Sequence, residues 1–318
     1  MVDLIQVRDL TRSFGRSVPA VEGLTFSVPR GEIFALLGPN GAGKTTTVRL
    51  LSALIHPSRG EVRIRGILST DGDRIQELRD AIGILPEVPG LYEGLSAFRN
   101  LQFFGRLHGL SDATIAERAK ELLRLFELWE RRDDKVATFS KGMQQKVAIA
   151  RALLHDPECL ILDEPISGLD PEAAKAVRDF LIEERRRGRT IVVSTHNLDD
   201  ADRLSDRVAV MRSKLIALGS PRELKARLFR QSVEIQLLEA RSNPVESLSG
   251  VGSIVRSQWD PPRLMLELRN AETDLPEIVA QLVGAGYRVQ FVRAIEASLE
   301  EAYLALVEKN RPTPGTNS

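Results

Sequence analysis

Apolar and polar positions alternate through the first thirty residues. Ile5 and Val7, then Leu24, Phe26 and Val28, read as two half-buried strands. Ile33 to Leu37 is a continuous apolar run, the pattern of a strand buried on both faces. It leads into Gly38-Pro39-Asn40-Gly41-Ala42-Gly43 and then a helical pattern from Lys44. Val62 and Ile64, flanked by arginines, suggest a strand at an exposed edge. From about Ser96 to Thr138 the period is helical, with Ile115, Ala119, Leu122, Leu123 and Phe126 on one stripe and Thr114 with Glu117 spaced for a capping box. This block interrupts the strand-rich parts on either side, as an inserted subdomain does. Short apolar strands then return at Leu160–Leu162, Ile191–Val193 and Val208–Met211, with helices between them, the order of a mostly parallel sheet.

Near Arg230 the pattern changes. Val233 to Leu237 and Leu264 to Leu268 alternate, and a short helix is expected near Val245–Leu248. Asp274 is placed to cap a helix carrying Leu275, Ile278, Val279, Leu282 and Val283, and Val289 with Phe291 marks another strand. Ser298 and Glu301 form a capping box for a last helix with Leu299, Ala302, Tyr303 and Leu306 on one face. The order β-α-β-β-α-β-α predicts a small α+β, ferredoxin-like domain over 231–309. Residues 310–318 are polar with two prolines, which predicts a disordered tail.

A chain of 318 residues is long enough for one large domain or two smaller ones. Lys+Arg and Asp+Glu balance at 44 each, so the whole chain has no electrostatic reason to bind nucleic acid. Its apolar runs fall far short of the roughly 18 residues a membrane span needs. Met1-Val2-Asp3-Leu4 lacks the features of a signal peptide, and a cytoplasmic location is expected. The single cysteine, Cys159, excludes an internal disulfide and sits in a core-strand pattern.

Gly38 to Thr45 matches the phosphate-loop pattern G-x-x-x-x-G-K-[ST] in full. Glycines let backbone N–H groups turn around phosphate oxygens, and the following helix N-terminus adds its dipole. Lys44 is expected on the β- and γ-phosphates and Thr45 on Mg²⁺, with Thr46 next in the helix. Leu160 to Leu162 ends in Asp163 and Glu164, two acids at the carboxyl edge of a sheet. Asp163 suits Mg²⁺, and Glu164 suits a general base acting on water. His196 ends another strand, where it could position that water or be structural. His56, His108 and His155 read as structural or surface residues. Ser140 opens a helix, as a cap or as a phosphate contact.

In set and order these elements resemble the nucleotide-binding domain of ABC ATPases over about residues 4–230. Phe139-Ser140-Lys141-Gly142-Met143-Gln144 is similar to the family's signature segment, departing from it at three positions but keeping Ser140 and Gly142. Ser167-Gly168-Leu169-Asp170 resembles its D-loop, His196 its switch histidine, and Phe14 its adenine-stacking aromatic, although Phe14 also fits a core position. Glu87 stands where the family usually carries glutamine near Mg²⁺. The segment Ala297 to Tyr303 resembles the accessory domain of exporter-type subunits that work with separate permeases.

The resemblance implies a P-loop α/β fold: a mostly parallel sheet core, an antiparallel β subdomain and an inserted helical subdomain at about 96–138. It also implies ATP and Mg²⁺ as ligands and Asp170 with Ser140 and Gly142 as contacts to a nucleotide shared with a second copy. The subunit would lie peripheral on the inner face of the membrane, partnered by a permease and probing no nucleic acid. Two other readings fit a P-loop less well. A soluble ABC ATPase acting on ribosomes or DNA usually has two fused cassettes or long coiled coils, and only one P-loop is present here. A P-loop kinase or GTPase is disfavoured by the Asp163-Glu164 pair and the Ser140 segment.

Overall fold

The computed structural model describes residues 3–15, 18–228, 231–238, 242–248, 251, 254–295 and 298–309. The expected tail from Arg311 to Ser318, the break at Arg230 and Ala297 lie outside them. Two compact units divide at Pro221 and Arg222, earlier than the expected break.

The first unit begins with β1 (Asp3–Arg12), β2 (Val21–Pro29) and β3 (Ile33–Leu37), followed by α1 (Lys44–Leu51). Next come β4 (Arg59–Ile64), β5 (Ile67–Leu68), α2 (Ile75–Ala81) and β6 (Ile82–Leu85). The helical block holds α3 (Ala97–Leu107) and α4 (Asp112–Leu125) and leads into α5 (Lys141–Leu153). Strand and helix then alternate through β7 (Cys159–Asp163), α6 (Pro171–Arg186), β8 (Thr190–Thr195), α7 (Leu198–Leu204), β9 (Arg207–Arg212) and β10 (Lys214–Gly219).

A six-stranded sheet has the order β10-β9-β3-β8-β7-β6. Its strands are parallel except for the antiparallel β9–β10 pair. β3 and β7 are buried at every position, as runs without polar alternation require when both faces are covered. An antiparallel sheet, β2-β1-β4-β5, carries the alternating strands. β4 therefore lies inside its sheet, and Val62 and Ile64 are fully buried; the two-residue β5 removes the edge position expected for them. Both sheets and α1 share one apolar core in which the rings of Phe26 and Phe34 stack 5.0 Å apart. Burial of a side chain such as Phe34 contributes about 1.5–3 kcal/mol.

Caps set the helix starts. The hydroxyl of Ser111, not of Thr114, caps α4 by accepting from the Thr114 N–H at 3.1 Å. Ser96, Ser140 and Asp170 cap α3, α5 and α6, and Pro171 fits the first turn of α6 because its missing N–H would have had no partner there.

The second unit holds α8 (Pro221–Leu228, which straddles the division), β11 (Gln231–Leu237), β12 (Ile254–Asp260), β13 (Arg263–Leu268), α9 (Ala271–Gly284), β14 (Val289–Ile295) and α10 (Leu299–Lys309). Its antiparallel sheet runs β12-β13-β11-β14, an order compatible with the ferredoxin-like expectation. Ile278 and Leu282 of α9 join the fully buried apolar residues of the sheet, whereas Val283 is exposed. Asn270, rather than Asp274, occupies the N-cap of α9; the Asp274 carboxylate accepts from the Asn270 N–H at 3.2 Å. The Ser298–Glu301 box forms reciprocally, with bonds of 2.8 and 3.1 Å.

Candidate functional site

β3 delivers the chain to Gly38 at the carboxyl edge of the larger sheet, and α1 starts six residues later at Lys44. The turn between them needs glycine. Gly43 has φ +91°, and a Cβ there would lie 2.4 Å from the Ala20 carbonyl oxygen. Among the described residues the N–H groups of Gly41, Gly43, Lys44 and Thr45 have no intramolecular acceptor, which leaves them for an anion. Lys44 is buried, and its Nζ donates to the Gly38 and Pro39 carbonyls at 2.8 and 3.3 Å.

An open groove of about 930 Å³ gathers most of the expected residues: Phe14, Pro39, Asn40, Gly41, Gly43, Lys44, Thr45, Thr46, Glu87 and Glu164. Val18, Pro19, Ala20, Arg49 and Ser213 complete its lining. Phe14 is half exposed, with the Arg12 guanidinium 4.7 Å from its ring centre, so it is not a core aromatic. Gly38 and the buried Ala42 support the loop from behind; a Cβ on Gly38 would lie 2.5 Å from the Met211 carbonyl oxygen.

Glu164 is the centre of the polar network. Its Oε1 lies 3.3 Å from Lys44 Nζ, and both its oxygens lie 3.0 Å from Nδ1 of the exposed His196. Its backbone is left-handed at φ 50°, held by N–H bonds to the Ser194 hydroxyl and carbonyl. Asp163 is buried beside it and accepts a hydrogen bond from the Ser194 hydroxyl. Ser194 thus joins both acids, a role not read from the sequence. It follows from the β7–β8 register, which sets Asp163 opposite Ser194.

The candidate metal ligands Thr45, Glu87 and Asp163 offer oxygen alone, the donor set of a hard cation. Among the described residues no three His, Cys, Asp or Glu side chains form a cage.

Ser140, Gly142 and Asp170 do not line the groove. They meet in a second cluster, where a Cβ on Gly142 would stand 2.9 Å from Ala173 Cβ, 3.7 Å from Asp170 Oδ2 and 4.0 Å from Ser140 Oγ. Ser140 is exposed and caps α5, whose first residue is the exposed Lys141.

Of the remaining histidines, His56 lies on the surface, and His108 and His155 pack together. His155 stacks on His108 at 3.9 Å, its Nε2 faces the Ile82 carbonyl at 2.9 Å, and burial with His108 alongside pushes its pKa down to about 4. The Cys159 thiol is buried and pushed up to about 12. Among the described residues no helix is long and apolar enough to cross a membrane.

A family model described as ABC transporter matches residues 21–167. The chain is 30% identical over 309 residues to the linearmycin resistance ATP-binding protein LnrL of Bacillus subtilis, covering 95% of this chain and 98% of that protein. It is 39% identical over 236 residues to a fluoroquinolones export ATP-binding protein of Mycobacterium tuberculosis, covering 74% and 76% of the two chains. Among solved structures it resembles a dimeric, post-hydrolysis ATP-binding cassette bound to ADP and Pi, at 26% identity and TM-score 0.63, covering 68% of this chain and 98% of that one.

Proposed function

The chain belongs to the ATP-binding proteins of ABC transporters, and from that premise we propose that it drives export through a separate permease by binding and hydrolysing ATP between two of its copies. The observation that carries this reading is the meeting of the phosphate loop, Glu164 and Phe14 in one groove, while Ser140, Gly142 and Asp170 lie outside it.

Adenine stacks on Phe14, and the phosphates take the free loop amides and Lys44. Thr45, Asp163 and Glu87 would hold Mg²⁺, which when bound would offset phosphate charge. Glu164 accepts a proton from the attacking water, and His196, hydrogen-bonded to that carboxylate, orients it. The partner copy's Ser140 cluster closes over the γ-phosphate. Both copies would sit peripherally on the inner face of the membrane.

The permease surface we infer is apolar. Val88, Tyr92, Leu95, Phe103 and Leu107 are exposed, and Tyr92 meets Phe103 edge-on at 4.8 Å. Leu91 beside them is half-buried. The segment follows Glu87 directly, so a helix docked there would feel changes at the nucleotide. The names of the relatives, for resistance and export, favour this over a ribosomal or DNA-directed ATPase. Affinity purification from detergent-solubilised membranes tests it: an integral membrane protein co-purifying in stoichiometric amount is expected. Recovery with ribosomes or DNA and no membrane protein would contradict it.

A further inference from the structure

The loop between β6 and α3 carries Glu87 and Tyr92, yet its own backbone does little to shape it. Among the described residues, 86–91 make no backbone–backbone hydrogen bond. Side chains hold it at two points. At the α3 end, buried Asn100 accepts from the Tyr92 N–H at 2.8 Å and donates to the Tyr92 carbonyl at 3.0 Å. In the middle, Arg151 of α5 takes the carbonyls. Its Nη1 donates to Pro89 at 2.7 Å and to Gly90 at 3.1 Å, and its Nη2 donates to Ile84 at 3.4 Å. The guanidinium also lies 4.8 Å from the ring centre of Phe104 on α3.

A half-buried arginine usually sits beside a carboxylate, because an unpaired buried charge is costly. Among the described residues Arg151 has none; burial alone lowers its pKa, to about 10. Three carbonyl dipoles and an aromatic face take the counter-ion's place, a task for a planar fork rather than an ammonium. Arg151 shares α5 with the Ser140 cap, about 16 Å away along the axis at the helical rise. α5 also packs directly on β6: a Cβ on Gly83 would lie 2.1 Å from the Ala152 carbonyl oxygen.

We propose that Arg151 is a positioning residue that makes the Glu87–Tyr92 loop move with α5, so that a nucleotide gripped at the Ser140 end of the helix is felt at Glu87 and at the apolar patch. The inference rests on the proposed two-copy ATP site. It assigns the link to one side chain that touches neither nucleotide nor permease.

Hydrogen exchange of segment 86–92 with and without Mg-ATP tests it, in a Glu164→Gln parent that holds ATP without turning it over. Nucleotide binding is measured in parallel by calorimetry. ATP slows exchange of this segment in the parent; with Arg151→Gln or Arg151→Lys added, ATP still binds but the slowing is lost or greatly reduced. A purely structural role would instead raise exchange equally with and without ATP, and that result overturns the proposal. So does an ATP-dependent slowing that survives in both variants. If the glutamine variant does not fold, the lysine variant decides alone. No ATP binding by the parent would overturn the underlying reading, and this inference with it.

Discussion

Lys44 Nζ lies 3.3 Å from Glu164 Oε1, and the two side chains are only 7% and 13% exposed. The cation assigned to phosphate therefore rests on the carboxylate assigned to water. In the proposed site an arriving γ-phosphate would compete for Lys44 and free Glu164 to accept a proton. Removing the cation should cost the charge-assisted bonds, about 1.5–3 kcal/mol each. Lys44→Ala is thus expected to weaken Mg-ATP binding at least about tenfold, read by isothermal titration. Wild-type affinity in the variant would remove Lys44 from the phosphate site.

Glu87 adds a carboxylate to the groove where the family resemblance implies an amide. Replacing it should change the metal requirement more than nucleotide affinity. Glu87→Gln is expected to shift the Mg²⁺ and Mn²⁺ activation curves of hydrolysis while ATP affinity stays near wild type. Identical curves for the two proteins would show that this side chain does not approach the metal.

These assignments were legible to different depths. The phosphate loop and Asp163-Glu164 are contiguous strings, so their chemistry can be read without a fold. Ser194 could not be read that way, since its bonds to both acids depend on which strands pair and in what register. Arg151 looks like any helical arginine in sequence; only packing against the Pro89–Gly90 carbonyls gives it a task. The cap of α4 was misplaced by three residues because Ser111 and Thr114 are both competent hydroxyls, and local geometry selects between them.

The apolar surface beside the groove leads to a third expectation. Tyr92 is half exposed and packs on Phe103 rather than entering the core. Leu91→Ala with Tyr92→Ala should leave the ATPase of the isolated subunit near wild type. Recovery with permease-containing membranes should fall, since each lost anchor is worth about 1.5–3 kcal/mol when fully covered. Undiminished recovery and transport would place the docking surface elsewhere.

The stacked histidines set an acid limit on stability. His155 is held near pKa 4 by burial and by His108, against 6.5 when unperturbed. The unfolded chain therefore gains a proton at that histidine as pH falls through 6.5, while the folded chain does not. Stability should decline from there until pH reaches the folded value, by about 1–2 kcal/mol at pH 5. Chemical denaturation at pH 7.5 and pH 5 measures it. His155→Gln should be less stable at pH 7.5 but lose less on acidification; an equal loss in both proteins would show that His155 does not contribute.

The most direct test of the two-copy ATPase is Glu164→Gln with Mg-ATP, followed by phosphate release and size-exclusion chromatography on the same sample. An amide cannot accept the proton, and general-base catalysis is worth about 10²–10⁴-fold. Phosphate release should fall by at least about 10²-fold, while ATP shifts the protein from monomer to dimer. Turnover at the wild-type rate, or a protein that binds ATP and stays monomeric, would contradict the account.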